Sequence, residues 1–157
     1  MMKTIDQLGK NKLSDKKIFL RVDFNVPVVA GKIAETFRIK STKETIDYLL
    51  GNGAKVVLVS HIEAIESFSP IVEQIGKILG QTRKLTLVPL SELNSMDDLF
   101  RASPILLLDN IRQDKREIEN DKGFAEELAK GFDFYINDAF AVCHRKHTSV
   151  SAITDFL

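Results

Sequence analysis

Five short apolar runs recur along the chain, and the intervals between them are long enough to hold a helix. Each run is nearly continuous in Val, Ile, Leu and Phe, which is typical of strands covered on both faces of a parallel sheet. The predicted strands are Lys17–Phe24, Ala54–His61, Leu85–Leu90, Pro104–Asn110 and Phe132–Asp138.

Amphipathic patterns fill most of the intervals. Ser69 and Pro70 are suited to cap and start one helix, and Gly80 is suited to follow its end. Between the first strand and the first helix, the irregular segment Asn25–Phe37 predicts a hairpin or a surface loop. Strand-helix alternation at this spacing predicts one α/β domain over residues 1–157, with a doubly wound, mainly parallel, Rossmann-like sheet in three layers, α/β/α. The predicted helices are Arg38–Leu50, Pro70–Leu79, Met96–Ala102 and Asp121–Lys130.

Composition narrows the functional class. The chain has 157 residues, and its 22 basic residues are balanced by 22 acidic ones. A net charge of zero argues against a nucleic-acid partner that binds through bulk electrostatics. A single cysteine allows no internal disulfide and fits a reducing compartment. We find no signal-peptide pattern and no run near the roughly 20 apolar residues that span a bilayer. We therefore expect a cytoplasmic protein without a membrane partner.

Polar side chains follow the predicted strands, and in a parallel sheet these positions share one edge, where α/β proteins bind ligands. Cations gathered at one edge of a neutral protein favour an anionic ligand. The simpler alternative for any single position is that polar residues must end every strand. The polar residues at this edge are Asp23, Asn25, Arg38, Ser60, His61, Ser91, Glu92, Asp109, Asn110, Arg112, Asn137, Asp138 and the run Cys143–His147.

Other chemistry is less well supported. Neither a G-x-G-x-x-G nor a G-x-x-x-x-G-K-[ST] phosphate loop occurs, so side chains, chiefly arginines, would have to hold an anion. Cys143 with His144 and His147 lacks the second Cys/His pair of a tetrahedral metal site, and we predict no metal. Cys143, beside His144 and Arg145, could act as a nucleophile, but such a cysteine is more often a small packed residue. The mixed-charge run Asp114–Glu119 predicts a solvated surface segment.

Five motifs occur in order along the chain: RVDFNVP (Arg21–Pro27), FRIKSTKETIDYLL (Phe37–Leu50), VVLVSH (Val56–His61), LLLDNIR (Leu106–Arg112) and FYINDAFAVCHRKHTS (Phe134–Ser149). In sequence and spacing they resemble the N-terminal, phosphoglycerate-binding domain of phosphoglycerate kinase. The resemblance covers about Lys17 to Ser149. It implies a Rossmann-like domain that binds 3-phosphoglycerate or 1,3-bisphosphoglycerate, while Mg-ADP or Mg-ATP sits on a separate C-terminal domain, so that no cofactor binds this chain.

The resemblance also implies roles for individual residues. Asp23 and Asn25 would hold the hydroxyl and carboxylate region of the glycerate. Arg38 would meet the transferring phosphoryl group and stabilise its transition-state charge, which makes it the catalytic candidate. His61 and Arg145 would complete the grip on the anion.

The chain departs from the family pattern in four places. Where the family reads Ser-His-Leu-Gly-Arg-Pro, residues 60–65 read Ser-His-Ile-Glu-Ala-Ile, so Ala64 replaces an arginine and Glu63 is expected to repel an anion. Gln113 replaces a Phe, and the chain reaches only Leu157, before the hinge and its arginine. We accordingly expect the nucleotide domain and its C-terminal tail to be absent as well.

Two functions remain open at this stage. The first is the substrate half of a phosphoglycerate kinase in glycolysis, either truncated or split from a separate nucleotide-binding domain. It is expected to bind phosphoglycerate weakly and to lack turnover alone. The second is a non-catalytic binding or scaffolding protein that retains the fold.

Overall fold

The computed structural model describes residues 4–9, 12–81 and 85–157. Numbered in chain order, its strands are β1 (Lys17–Arg21), β2 (Val28–Val29), β3 (Lys32–Ile33), β4 (Lys55–Val59), β5 (Thr86–Val88), β6 (Ile105–Leu108) and β7 (Phe134–Asn137). The α-helices are α1 (Phe37–Ser41), α2 (Lys43–Gly51), α3 (Val72–Ile78), α4 (Met96–Ala102) and α5 (Lys122–Ala129).

The main sheet has the strand order β5-β6-β4-β1-β7, and every neighbouring pair is parallel. Alternate residues of β1 pack into two separate hydrophobic cores, because successive side chains point to opposite faces of the sheet. Ile18 and Leu20 pack in the core that contains helices α1 to α3. Phe19 packs in the core that contains α4 and α5. The predicted three-layer, doubly wound α/β fold is therefore confirmed.

The irregular segment after β1 contains a small antiparallel hairpin. Strands β2 and β3 pair there, and the turn between them places Ala30 and Gly31 at φ values of 49° and 71°. Two consecutive positive φ values define a type I′ turn, which matches the twist of the flanking strands. Gln74 of α3 donates to the Gly31 carbonyl at 2.7 Å and accepts from the Ile33 N–H at 3.1 Å. The hairpin prediction is confirmed, and the hairpin is tied to helix α3.

Element ends differ from the predictions. The first predicted helix is divided at Thr42, whose hydroxyl donates to the Ile39 carbonyl at 2.9 Å. Ser69 does not cap α3; the helix begins after Ile71 without a side-chain cap, and the Ser69 N–H donates to Ser67 Oγ instead. The strands stop before the polar ends of the predicted runs, because those residues leave the sheet to build loops.

The prediction of a solvated segment at Asp114–Glu119 is wrong at its centre. Two short 3₁₀ turns, Ile111–Gln113 and Lys115–Glu117, shape this stretch. They turn Glu117 inward, where its side chain is fully buried. Among the described residues, no helix is long and apolar enough to cross a bilayer.

Candidate functional site

Asp23, Asn25 and Arg38 meet just beyond the carboxyl end of β1. Arg38, on the first turn of α1, places Nη1 3.1 Å from Asp23 Oδ2 and 3.4 Å from the Asn25 carbonyl oxygen. The other oxygen of Asp23 accepts from the Asn25 N–H at 3.2 Å. Asp23 is mostly buried, whereas the Arg38 side chain is 48% exposed. A fixed carboxylate thus orients a guanidinium whose remaining donors face solvent.

These residues border an open cleft of about 640 Å³. Its wall carries one arginine and two carboxylates, so the cleft is less cationic than the sequence-based list of edge residues suggested. Ala64 lies on this wall, so the cleft lacks the positive charge that the arginine of the phosphoglycerate kinase pattern would supply at this position. The lining residues are Asn25, Val26, Pro27, Glu35, Arg38, Glu63 and Ala64.

His61 lies at the end of β4 and is only 1% exposed. Its Nδ1 is 2.9 Å from Arg21 Nη2, and because a guanidinium only donates, Nδ1 must accept and the ring proton sits on Nε2. Burial, followed by the charges of Arg21 and Arg112, lowers the pKa of His61 to about 3. Nε2 has no hydrogen-bond partner among the described residues. His61 can therefore offer a ligand one neutral donor but no positive charge.

Glu63 is paired with a cation. Its Oε1 is 2.8 Å from Arg112 Nη1 and 4.0 Å from His61 Nε2. The Glu63 N–H also donates to Asn25 Oδ1 at 2.9 Å. Glu63 therefore has a second effect besides the expected repulsion of an anionic ligand, because it neutralises Arg112 at the sheet edge.

Several other edge residues hold loops. Asn110 donates to the carbonyls of Ile62 and Ile65 at 2.9 and 3.0 Å, which fixes the loop that carries Glu63. Asp109 accepts from the Phe68 N–H at 2.8 Å and from Gln113 Nε2 at 2.9 Å. For these two residues the simpler alternative raised by the sequence is correct: they end strands and order the chain that follows.

Arg145 lies on the same side of the sheet. It is half-buried, and its charge helps to lower the pKa values of both His61 and His147, each of which is lowered chiefly by burial. In the described part of the chain no acidic side chain pairs with Arg145. His147 Nδ1 and Arg112 Nε are buried without a described partner, as His61 Nε2 is. Three buried nitrogens, on His61, Arg112 and His147, therefore lack a hydrogen-bond partner among the described residues.

The family model for phosphoglycerate kinase matches residues 6–157, nearly the whole chain. The chain belongs to the phosphoglycerate kinase family. The phosphoglycerate kinase of Pelobacter propionicus is 42% identical over 159 residues, and that of Moorella thermoacetica is 35% identical over 154 residues. These alignments cover 96% and 93% of this chain but 39% of each relative.

Solved phosphoglycerate kinase structures share the fold. The enzyme from Pyrococcus horikoshii superposes with a TM-score of 0.79 at 27% identity, over 94% of this chain and 39% of its own. The enzyme from Coxiella burnetii gives 0.76 at 27% identity, over 92% and 38%. The chain thus spans about 39% of the length of these phosphoglycerate kinases.

A buried charge network, which the sequence did not predict, joins Arg21, Ser149 and Glu117 and contacts His61 through Arg21. Arg21 is fully buried, and its Nε donates to Ser149 Oγ at 2.8 Å. Ser149 in turn donates from Oγ to Glu117 Oε1 at 2.6 Å and from its N–H to Oε2 at 2.9 Å. Burial raises the pKa of Glu117, and the Ser149 hydrogen bonds oppose that rise. A charged residue inside an apolar strand was the available signal, since a buried charge requires partners.

Cys143 is exposed, and no group of three or more His, Cys, Asp or Glu side chains within the described ranges is arranged to hold a metal ion.

Proposed function

We propose that this chain binds 3-phosphoglycerate or 1,3-bisphosphoglycerate in the cleft bordered by Asp23, Asn25 and Arg38. The observation that carries the proposal is the guanidinium of Arg38, which the Asp23 carboxylate orients at 3.1 Å on the wall of the cleft. Membership of the phosphoglycerate kinase family supports the ligand class.

The residues divide the work by their chemistry. Asp23 is held by the Asn25 N–H and by Arg38, so its remaining acceptor capacity and the Asn25 amide suit the hydroxyl and carboxylate of a glycerate. Arg38 keeps free donors toward solvent and suits the charge that spreads over a phosphoryl group in transfer. His61 supplies a neutral donor and Arg145 a second cation.

The reaction we propose for the complete system is phosphoryl transfer from 1,3-bisphosphoglycerate to ADP, which leaves 3-phosphoglycerate and ATP. The magnesium nucleotide would be held by a separate domain, corresponding to the part of the relatives that this chain does not align with. We propose the cytoplasm as the compartment, supported by the single cysteine and by the wheat relative named as cytosolic, although the Volvox carteri relative is named as chloroplastic.

Binding should be weak. The ligand carries about three negative charges, whereas the cleft offers Ala64 and Glu63 where the family pattern has arginine and glycine. A hydrogen bond to a charged group contributes about 1.5–3 kcal/mol, so one missing arginine weakens binding about ten- to a hundredfold. We expect a millimolar dissociation constant for the 157-residue polypeptide.

Calorimetry with 3-phosphoglycerate tests this proposal. Arg38→Gln should weaken binding at least about tenfold, whereas Lys40→Gln removes an exposed charge from the same helix and should change it less than about twofold. A sub-millimolar constant for the unmodified chain would show that the missing arginine is compensated. Equal effects of the two substitutions would contradict the assignment of Arg38.

Turnover provides a separate test. The polypeptide of residues 1–157, supplied with Mg-ADP and 1,3-bisphosphoglycerate, should form no ATP in a coupled assay, and steady turnover would refute this. Adding the nucleotide-binding part of the P. propionicus enzyme should restore activity if this chain is a substrate half.

A non-catalytic binding or scaffolding role is the second candidate. It is favoured by one observation, the 2.8 Å pair that neutralises Arg112 with Glu63 inside the site. Retained ligand binding, with no activity after the nucleotide-binding part is added, would support this alternative.

A further inference from the structure

Glu63 places a carboxylate against nitrogens that otherwise suit an anion. The Arg112 side chain is 23% exposed, and its contact with Glu63 is a direct 2.8 Å ion pair. Close by, His61 Nε2 and Arg112 Nε are buried and have no hydrogen-bond partner among the described residues. Glu63 Oε1 lies 4.0 Å from His61 Nε2, too far for a hydrogen bond. The Glu63 carboxylate therefore pairs with Arg112 Nη1 and leaves Arg112 Nε and His61 Nε2 available to a larger anion.

The backbone that carries Glu63 is fixed, but its side chain is not. Asn110 holds the loop through the carbonyls of Ile62 and Ile65, and Asn25 accepts from the Glu63 N–H. The Glu63 side chain is 57% exposed, so it can leave Arg112 by rotating into water without moving the loop.

We propose that Glu63 is a resident counter-anion: its carboxylate occupies the anion position on Arg112, and a ligand anion reaches Arg112 and His61 only by displacing it. Glu63 is then a specificity-determining residue for this site. An anion with enough charge to replace a carboxylate gains the Arg112 contact and the free nitrogens together. A weakly charged ligand leaves the Glu63–Arg112 pair in place and binds only at Arg38. Phosphoglycerate as the displacing anion rests on the proposed function, whereas inorganic phosphate serves as a probe that does not.

Calorimetry on four variants tests the displacement with 3-phosphoglycerate. Glu63→Gln should tighten binding about tenfold, because Arg112 is freed and the exchange of one anion for another is no longer needed. Glu66→Gln is the matched control, since it removes the same charge from the same exposed loop and makes no contact with Arg112; it should change binding less than about twofold. In an Arg112→Gln background, the gain from Glu63→Gln should fall below about threefold.

Each result decides the matter. Measurable binding with equal constants for the unmodified chain and Glu63→Gln would overturn the role of Glu63 and leave the proposed function intact. A gain as large for Glu66→Gln, or one that persists without Arg112, would reduce the effect to general charge and overturn it too. If neither form binds 3-phosphoglycerate, the proposed function fails. The role of Glu63 is then tested by titrating inorganic phosphate and following the ¹⁵N signal of Arg112 Nε in both forms. A midpoint at a lower phosphate concentration in Glu63→Gln than in the unmodified chain supports displacement. Equal midpoints, or no response in either form, would overturn it.

Discussion

His61 should make the stability of this protein depend on pH in a defined direction. The folded ring is buried against the Arg21 guanidinium, and the pKa of His61 falls from an ordinary 6.5 to about 3. Below pH 6.5 the unfolded chain therefore takes up a proton at this residue, whereas the folded chain does not. The contribution of His61 to the free energy of unfolding should be fully retained above about pH 7.5 and should fall as the pH decreases toward 3.

The magnitude follows from proton linkage. One proton of difference between the unfolded and folded states changes the free energy of unfolding by about 1.4 kcal/mol per pH unit. Between pH 7.5 and 5 the contribution of His61 is therefore about 2 kcal/mol, because the slope develops as the unfolded residue protonates around pH 6.5. That is a large part of the 5–15 kcal/mol typical of a folded domain.

His61→Asn is the direct perturbation, because the amide oxygen can replace Nδ1 as an acceptor for Arg21 and nothing titrates. Urea unfolding of both proteins should be followed from pH 5 to 8.5. We expect the difference between their unfolding free energies to change by about 2 kcal/mol from pH 7.5 to 5 and to stay constant above pH 7.5. Other titrating groups cancel in this difference. Parallel curves over the whole range would refute a neutral, buried His61.

Two further substitutions probe the network and the cleft. Ser149→Ala removes one hydrogen bond from each of the buried Arg21 and Glu117 side chains. We expect it to lower the free energy of unfolding by about 2–4 kcal/mol, whereas the control Ser151→Ala should lower it by less than about 0.5 kcal/mol. A loss below about 1 kcal/mol for Ser149→Ala would show that the network adds little. Ala64→Arg should tighten 3-phosphoglycerate binding about ten- to a hundredfold relative to the uncharged control Ala64→Gln, as measured by titration calorimetry. An unchanged dissociation constant would mean that the loop that carries residue 64 does not face the ligand.

The sequence was sufficient for the fold and for much of the cleft. Near-continuous apolar runs such as Lys55–Val59 predict buried parallel strands because a strand covered on both faces admits few polar side chains. Parallel strands bring their carboxyl ends to one edge, so Asp23, Asn25 and Arg38 could be expected near each other before any coordinates. The hairpin followed from Gly31 and its neighbours. All of these features depend on local pattern and on a general rule of sheet topology.

What the chain does with its buried charges was decided only in three dimensions. Arg21 and Ser149 are 128 residues apart, and Glu63 and Arg112 are 49 apart, yet each pair is in hydrogen-bond contact. The strand order places β1 between β4 and β7, although β7 is the last of the main sheet's five strands in chain order and β1 is the first. Whether an acid such as Glu63 repels a ligand or neutralises an arginine depends on which cation the fold sets against it. That is a matter of distances of 3 to 4 Å, because Coulomb energy and hydrogen bonding act at contact range, and no local pattern encodes them.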